Sequence, residues 1–160
     1  MDISKQSNGT KISTGKVSVY INPASPIDTG VVIYTNGDAD VLTDDNRLVI
    51  EGPGEYEFQG IYLKGVRKNG VLSFTISYND RDVYFTSTEG MAAAPEDELF
   101  DAVIVETAEG FDTAKILKLN YPTIYLDKGN ILNGKIDAEE TKSVNLKKLT
   151  PGEKNIFILQ

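Results

Sequence analysis

A mixed α/β or α+β layered domain is what the sequence predicts. Two observations carry it: short strand patterns dominate the first half, and strand–helix–strand units appear in the second. Length bounds the reading. With 160 residues and no linker rich in Pro, Ser or Gly, the chain reads as one domain, 1–160, long enough to bury a core without disulfides.

The elements follow in order. "KVSVYI" sets Val17, Val19 and Ile21 against Lys16, Ser18 and Tyr20, the period-two pattern of a half-buried strand. "GVVIYT", 30–35, is a continuous apolar run suited to a strand covered on both faces. "RLVI", 47–50, leads into "EGPGEYEFQG", where Pro53-Gly54 marks a tight turn. "YEFQGIYLKGV" continues as strand, with Gly60 and Gly65 expected at a bulge or a close backbone approach. "KNG", 68–70, is a hairpin signal, because Asn-Gly tolerates positive φ.

"VLSFTISY" places Leu72, Phe74, Ile76 and Tyr78 on one face, and "NDRD" turns it into "VYFTST", 83–88. In "AAAPEDELF", Pro95 opens a short helix with Glu96, Asp97 and Glu98 in its first turn. "AVIVET", 102–107, is a buried strand, and "FDTAKILKL" a helix capped by Asp112. "PTIYL", 122–126, and "NIFIL", 155–159, are the last strands. Residues 129–153 are polar, with one helical turn around "DAEETK". Both faces of "NIFIL" are apolar, so this strand is expected either inside the sheet or as a bare edge closing a two-fold homodimer.

Composition excludes whole classes of function. Sixteen basic against twenty-four acidic residues give a net charge of −8, which disfavours nucleic acid and anionic membrane as partners. There is no cysteine and no histidine. That removes thiolate nucleophiles, the commonest general base and the commonest transition-metal ligands, and closes every Ser-His or Cys-His mechanism to the chain acting alone. The polar start "MDISKQSNGTKIS" lacks the apolar core of a signal peptide, and no apolar run reaches the length of a membrane span. A cytoplasmic location is expected.

Three loops invite a chemical reading. "TNGDADVLTDDN" gathers Asp38, Asp40, Asp44 and Asp45, but as a calcium loop it places Leu42 at a ligand position and Thr43 where the turn glycine belongs. A solvated acidic loop is the plainer reading. "GPGE" lacks the Walker lysine and puts a carboxylate where a phosphate would sit. "FTSTEG" is a hydroxyl-rich strand end, a place where layered folds carry function, yet no neighbour in sequence activates its serine.

Taken in sequence, "GVVIYT", the polar loop led by Thr35, "LVIEGPGEYEFQGIYLKGV", a hairpin, "VYFTSTEG" and "DAVIVE" resemble the metallo-β-lactamase-fold hydrolases. The nearest likeness is to the small bacterial subgroup described as Zn-dependent hydrolases of that superfamily, over about residues 10–127. The resemblance implies a β-sandwich with flanking helices, reduced in size. It also implies where a metal site would stand. Against the family's Thr-His-x-His-x-Asp-His, this chain reads "TNGDADV": Thr35 and Asp40 match, while Asn36, Asp38 and Val41 replace the histidines. The family's bridging aspartate falls at Thr88 or Glu89, and its last histidine near Asp127. Oxygen donors alone would not reproduce zinc affinity or an activated hydroxide. The expectation is therefore a catalytically inactive, metal-free domain with no cofactor, acting as a binding or structural module for an unknown protein partner or for itself. The competing expectation is a residual metal-dependent hydrolase or phosphodiesterase using carboxylates at Asp38, Asp40 and Glu89.

Overall fold

The computed structural model describes residues 1–7, 9–37, 42–91, 95, 98–107, 122–127, 132, 136–150 and 155–160. In chain order come β1 (Asp2–Gln6), β2 (Gly9–Ser13), β3 (Ser18–Ile21), β4 (Gly30–Ile33), β5 (Leu42–Thr43) and β6 (Arg47–Ile50). Then follow β7 (Gly54–Phe58), β8 (Ile61–Lys68), β9 (Val71–Ser77), β10 (Asp82–Ser87), β11 (Ala102–Glu106), β12 (Thr123–Leu126), β13 (Glu139–Thr141), β14 (Ser143–Asn145) and β15 (Ile156–Leu159). They form a seven-stranded sheet, β14-β1-β2-β3-β4-β6-β5, and an eight-stranded sheet, β13-β15-β12-β11-β10-β9-β8-β7. Each sheet is mixed. β3, β4 and β6 run parallel in the first, and β10, β11, β12, β15 and β13 in the second.

Register makes the core. In the first sheet Ile3, Ile12, Val19, Val31 and Leu48 stand side by side in one row across five strands. In the second, the row runs Gly65, Phe74, Phe85, Ile104, Ile124 and Phe157. Successive side chains alternate faces, so the rows press together as a shared slab and all of these aliphatic and aromatic groups are buried. A second cluster covers the outer face of the larger sheet, where Phe100 stacks on Tyr84 with ring centroids 5.1 Å apart and Val103, Val105, Tyr125 and Ile158 are buried.

Gly65 is explained by its place in that row. A Cβ there would come within 2.7 Å of the Phe74 ring, so the absence of a side chain lets Phe74 lie flat over the strand. The chain crosses from one sheet to the other through Glu51, Gly52 and Pro53, and Tyr56 locks the corner by donating to the carbonyls of Gly52 (3.1 Å) and Pro53 (3.0 Å). Gly54 takes φ +150°, and a Cβ on it would sit 2.8 Å from the Tyr56 hydroxyl. Asn69 and Gly70 (φ 52° and 81°) make the expected hairpin turn.

Several expectations need correction. The α/β class with flanking helices is not what the structure holds: among the described residues there is no α-helix, only two β-sheets and a 3₁₀ turn at Leu146–Lys148. At "AAAPEDELF", Pro95 and Glu98–Phe100 are not helical, although proline and acids mark a helix start. Phe100 is instead buried with its ring stacked on Tyr84, just before the start of β11. The "FDTAKILKL" helix falls on 111–119, outside the described residues. "DAEETK" supplies β13, which pairs parallel with β15. That pairing also places β15 between β12 and β13, so it is no bare edge. Gly60 is not a bulge: with Gln59 (φ 51°) it turns β7 into β8 at φ 84°. The polar start carries the β1–β2 hairpin.

Two outcomes follow from this packing. Gly54→Val brings both a disfavoured φ and a clash with Tyr56, and should cost about 1–3 kcal/mol in urea unfolding; a variant as stable as wild type would refute the corner. Burial also raises the pKa of Tyr125. Its phenol is neutral in both states below about pH 10, and above that the unfolded chain loses the proton first, so stability falls as pH rises. Tyr125→Phe should therefore flatten the loss above about pH 10; equal slopes in the two proteins there would contradict it.

Candidate functional site

Parallel strands bring their carboxyl ends to one rim, and from both sheets these ends meet at the same crevice. β3 delivers Asn22, and β4 delivers Thr35 and Asn36. From the other sheet, β10 delivers Ser87 and Glu89, and β11 delivers Glu106 and Thr107. The cavity has a volume of about 220 Å³; Thr35, Asn36, Ser87, Glu89, Glu106 and Thr107 line it, with the β8–β9 hairpin at Gly70–Leu72 forming a wall.

A hydrogen-bonded cluster forms its floor. Asn22 sits at φ 50°, in the left-handed region asparagine tolerates better than most residues. Its Nδ2 donates to Glu106 Oε2 (2.8 Å) and to Thr35 Oγ1 (2.9 Å). Its Oδ1 accepts from the Thr35 backbone N–H at 3.0 Å. The amide thus ties β3, β4 and β11 together, and so joins one sheet to the other. At the mouth, Arg67 repeats the tie by donating to the Gly37 carbonyl (3.1 Å) from β8.

The crevice unites some of the expected site residues and leaves others aside. Thr35, Asn36 and Glu89 share the cavity. Thr88 is buried beside it, its N–H donating to the Glu106 carbonyl at 3.0 Å. Asp127 lies at the end of β12 and accepts from Thr107 Oγ1 (3.2 Å) and from the Leu132 N–H (2.9 Å). Asp38 and Asp40 are outside the described residues. Asn22, Glu106, Thr107 and Arg67 were not anticipated, and Ser87 was noted only as the serine of the hydroxyl-rich strand end. Their one signal in the sequence is position: each except Arg67 ends or follows a strand whose next neighbour is parallel.

Neither a family model nor a curated protein matches the chain. Solved structures do. One, from Thermotoga maritima, provisionally described as a Zn-dependent hydrolase of the metallo-β-lactamase superfamily, superposes with a TM-score of 0.69 at 18% sequence identity. The match covers 99% of this chain and 98% of that one. At such identity the likeness is one of fold, and the architecture here is metallo-β-lactamase-like.

Among the described residues, the donors in this crevice do not suit the zinc of that protein's description. The whole chain has no histidine or cysteine, and among the described residues no three acidic side chains stand close enough to share an ion. Glu106 and Asp127 are engaged as acceptors of Asn22, Thr107 and Leu132. Zinc prefers nitrogen and sulfur donors, with supporting groups that orient them.

Because Asn22 bonds to both Thr35 and Glu106 from a left-handed backbone, Asn22→Ala should destabilise the fold by about 1–3 kcal/mol. Chemical denaturation checks this, and a loss below about 0.3 kcal/mol would mean that the cluster contributes nothing to holding the sheets.

Proposed function

We propose that this metallo-β-lactamase-like domain is catalytically inactive and works as a binding or structural module in the cytoplasm. The observation that carries the reading is the Asn22–Thr35–Glu106 cluster. Groups at the strand ends, where a hydrolase would present metal ligands, here bond to one another across the two sheets. A carboxylate held by an amide in this way stabilises the rim and is poorly placed to activate water, which needs a metal or a base of suitable pKa. Retention of the scaffold with a different rim is consistent with a fold kept for surface and shape, since fold and chemistry are separable. Among the described residues no helix is long and apolar enough to cross a membrane.

The test is metal content and response. Protein purified without chelator should hold well under one zinc per chain by elemental analysis, and added zinc should leave its Tm unchanged. One or more zinc ions per chain after dialysis, or a rise of several degrees in Tm, would defeat the proposal, because a ligand that binds the folded state raises its stability by mass action.

A further inference from the structure

An asparagine that precedes glycine is prone to lose its own side-chain amide, because glycine has no Cβ to keep its backbone nitrogen away from the asparagine Cγ. Four such pairs occur in the chain, and Asn36-Gly37 and Asn69-Gly70 are those whose two residues are both described. The same dipeptide stands in two different settings. Asn69 and Gly70 hold φ 52° and 81° in a turn closed by the Lys68–Val71 pair of the β8–β9 ladder, so their peptide planes are fixed from both sides. Asn36 lies past the end of β4, is exposed, and makes no side-chain hydrogen bond among the described residues. Gly37 has no room for a larger residue: a Cβ there would come within 2.6 Å of the Glu51 Cβ. Asn22 is the opposite case. Thr35 and Glu106 hold its amide, and it precedes Pro23, whose nitrogen has no proton to give up.

From this contrast we propose that Asn36 is a site of spontaneous deamidation, which adds a carboxylate to the crevice. The Gly37 backbone nitrogen loses its proton to hydroxide and bonds to Asn36 Cγ. The Cγ–Nδ2 bond then breaks, and the side-chain nitrogen leaves as ammonia with a proton taken from water. Water adds to one of the two carbonyl carbons of the cyclic imide that results, and the ring opens. Attack at Cγ gives aspartate; attack at the main-chain carbonyl gives isoaspartate, in which the chain runs through the former side chain. One water is consumed and one ammonia released, with no change of oxidation state. Either product sets a new negative charge in a cavity of about 220 Å³ that Glu89 and Glu106 already line. A third carboxylate in so small a space turns the crevice further toward cations. Isoaspartate goes further, since it inserts a methylene before Gly37 and shifts the carbonyl to which Arg67 donates at 3.1 Å. That tie from β8 is then lost, and the rim of an aged molecule differs from that of a new one.

Peptide mass spectrometry of protein kept folded at mildly alkaline pH tests the site, each conversion adding about 1 Da. In the folded chain Asn36 should convert at least about tenfold faster than Asn69, whose turn resists the rotation that ring closure needs. In concentrated urea, where the dipeptide remains and the fold does not, the two rates should come within about twofold of each other. Asn36 is exposed, so its substitution spares the fold. Asn36→Gln, whose longer side chain closes a ring more slowly, should age without the new acidic species on ion exchange. Asn36→Asp should elute with the aspartate form of aged wild type. The separated isoaspartate form should unfold at lower urea than Asn36→Asp, because it alone lacks the Arg67 tie. Equal rates at Asn36 and Asn69 in the folded chain, the same preference persisting in urea, an Asn36→Gln protein that ages like wild type, an Asn36→Asp protein that elutes apart from the aged form, or an isoaspartate form as stable as Asn36→Asp would each overturn the proposal. None of these results bears on zinc content, so the two proposals stand or fall separately.

Discussion

Two sheets share one slab of aliphatic and aromatic side chains, and the position of everything else depends on that shared burial. Neither sheet could leave its inner row facing water, since each such side chain removed from solvent contributes about 1.5–3 kcal/mol. The rows also fix register, because a slip of one residue would turn Ile12, Val19 and Val31 outward together. With register fixed, the carboxyl ends of β3, β4, β10 and β11 have only one place to finish. The crevice is thus a consequence of core packing and would form whatever residues stood at its rim.

What stands there decides its character. Asn22 uses donor and acceptor at once, and through Glu106 it reaches the opposite sheet. Arg67 bridges the same gap from the hairpin side. Both ties join the sheets through directional bonds, beyond the edge of the apolar slab. A scaffold that superposes on a described Zn-dependent hydrolase therefore closes this rim with an amide, a hydroxyl and a carboxylate.

Much of the strand pattern was legible because burial writes itself into sequence with period two. The unbroken run of β4 and the alternation of β9 are direct records of two covered faces and of one. Asn69-Gly70 announced its turn, whereas Gln59-Gly60 did not, glutamine being a weaker marker of left-handed φ. The β1–β2 hairpin is hidden because the inward side chains of β2 are Thr10 and Ile12, with Lys5 opposite Thr10, which interrupts the apolar period. The helix start at Pro95 was a sound local signal that lost to a tertiary one, the seat of Phe100 on Tyr84. Thr35 and Asn36 are reached through the family resemblance, and Glu89 also through its place at a strand end. The pairing of Asn22 with Glu106 could not be found, because the two are 84 positions apart and neither residue type signals the other.

The place of β14 bears on the order in which the molecule can be assembled. β1 has β2 on one side from the outset, but its other edge pairs with Ser143–Asn145, and the Leu146 N–H closes on the Met1 carbonyl. During synthesis that edge must wait until Ser143–Asn145 have been made, with its backbone donors and acceptors open to any passing strand. Contacts so distant in sequence carry a large loop-closure cost and slow the search for the native state. β1 is in this sense among the last strands to be completed, although it is made early.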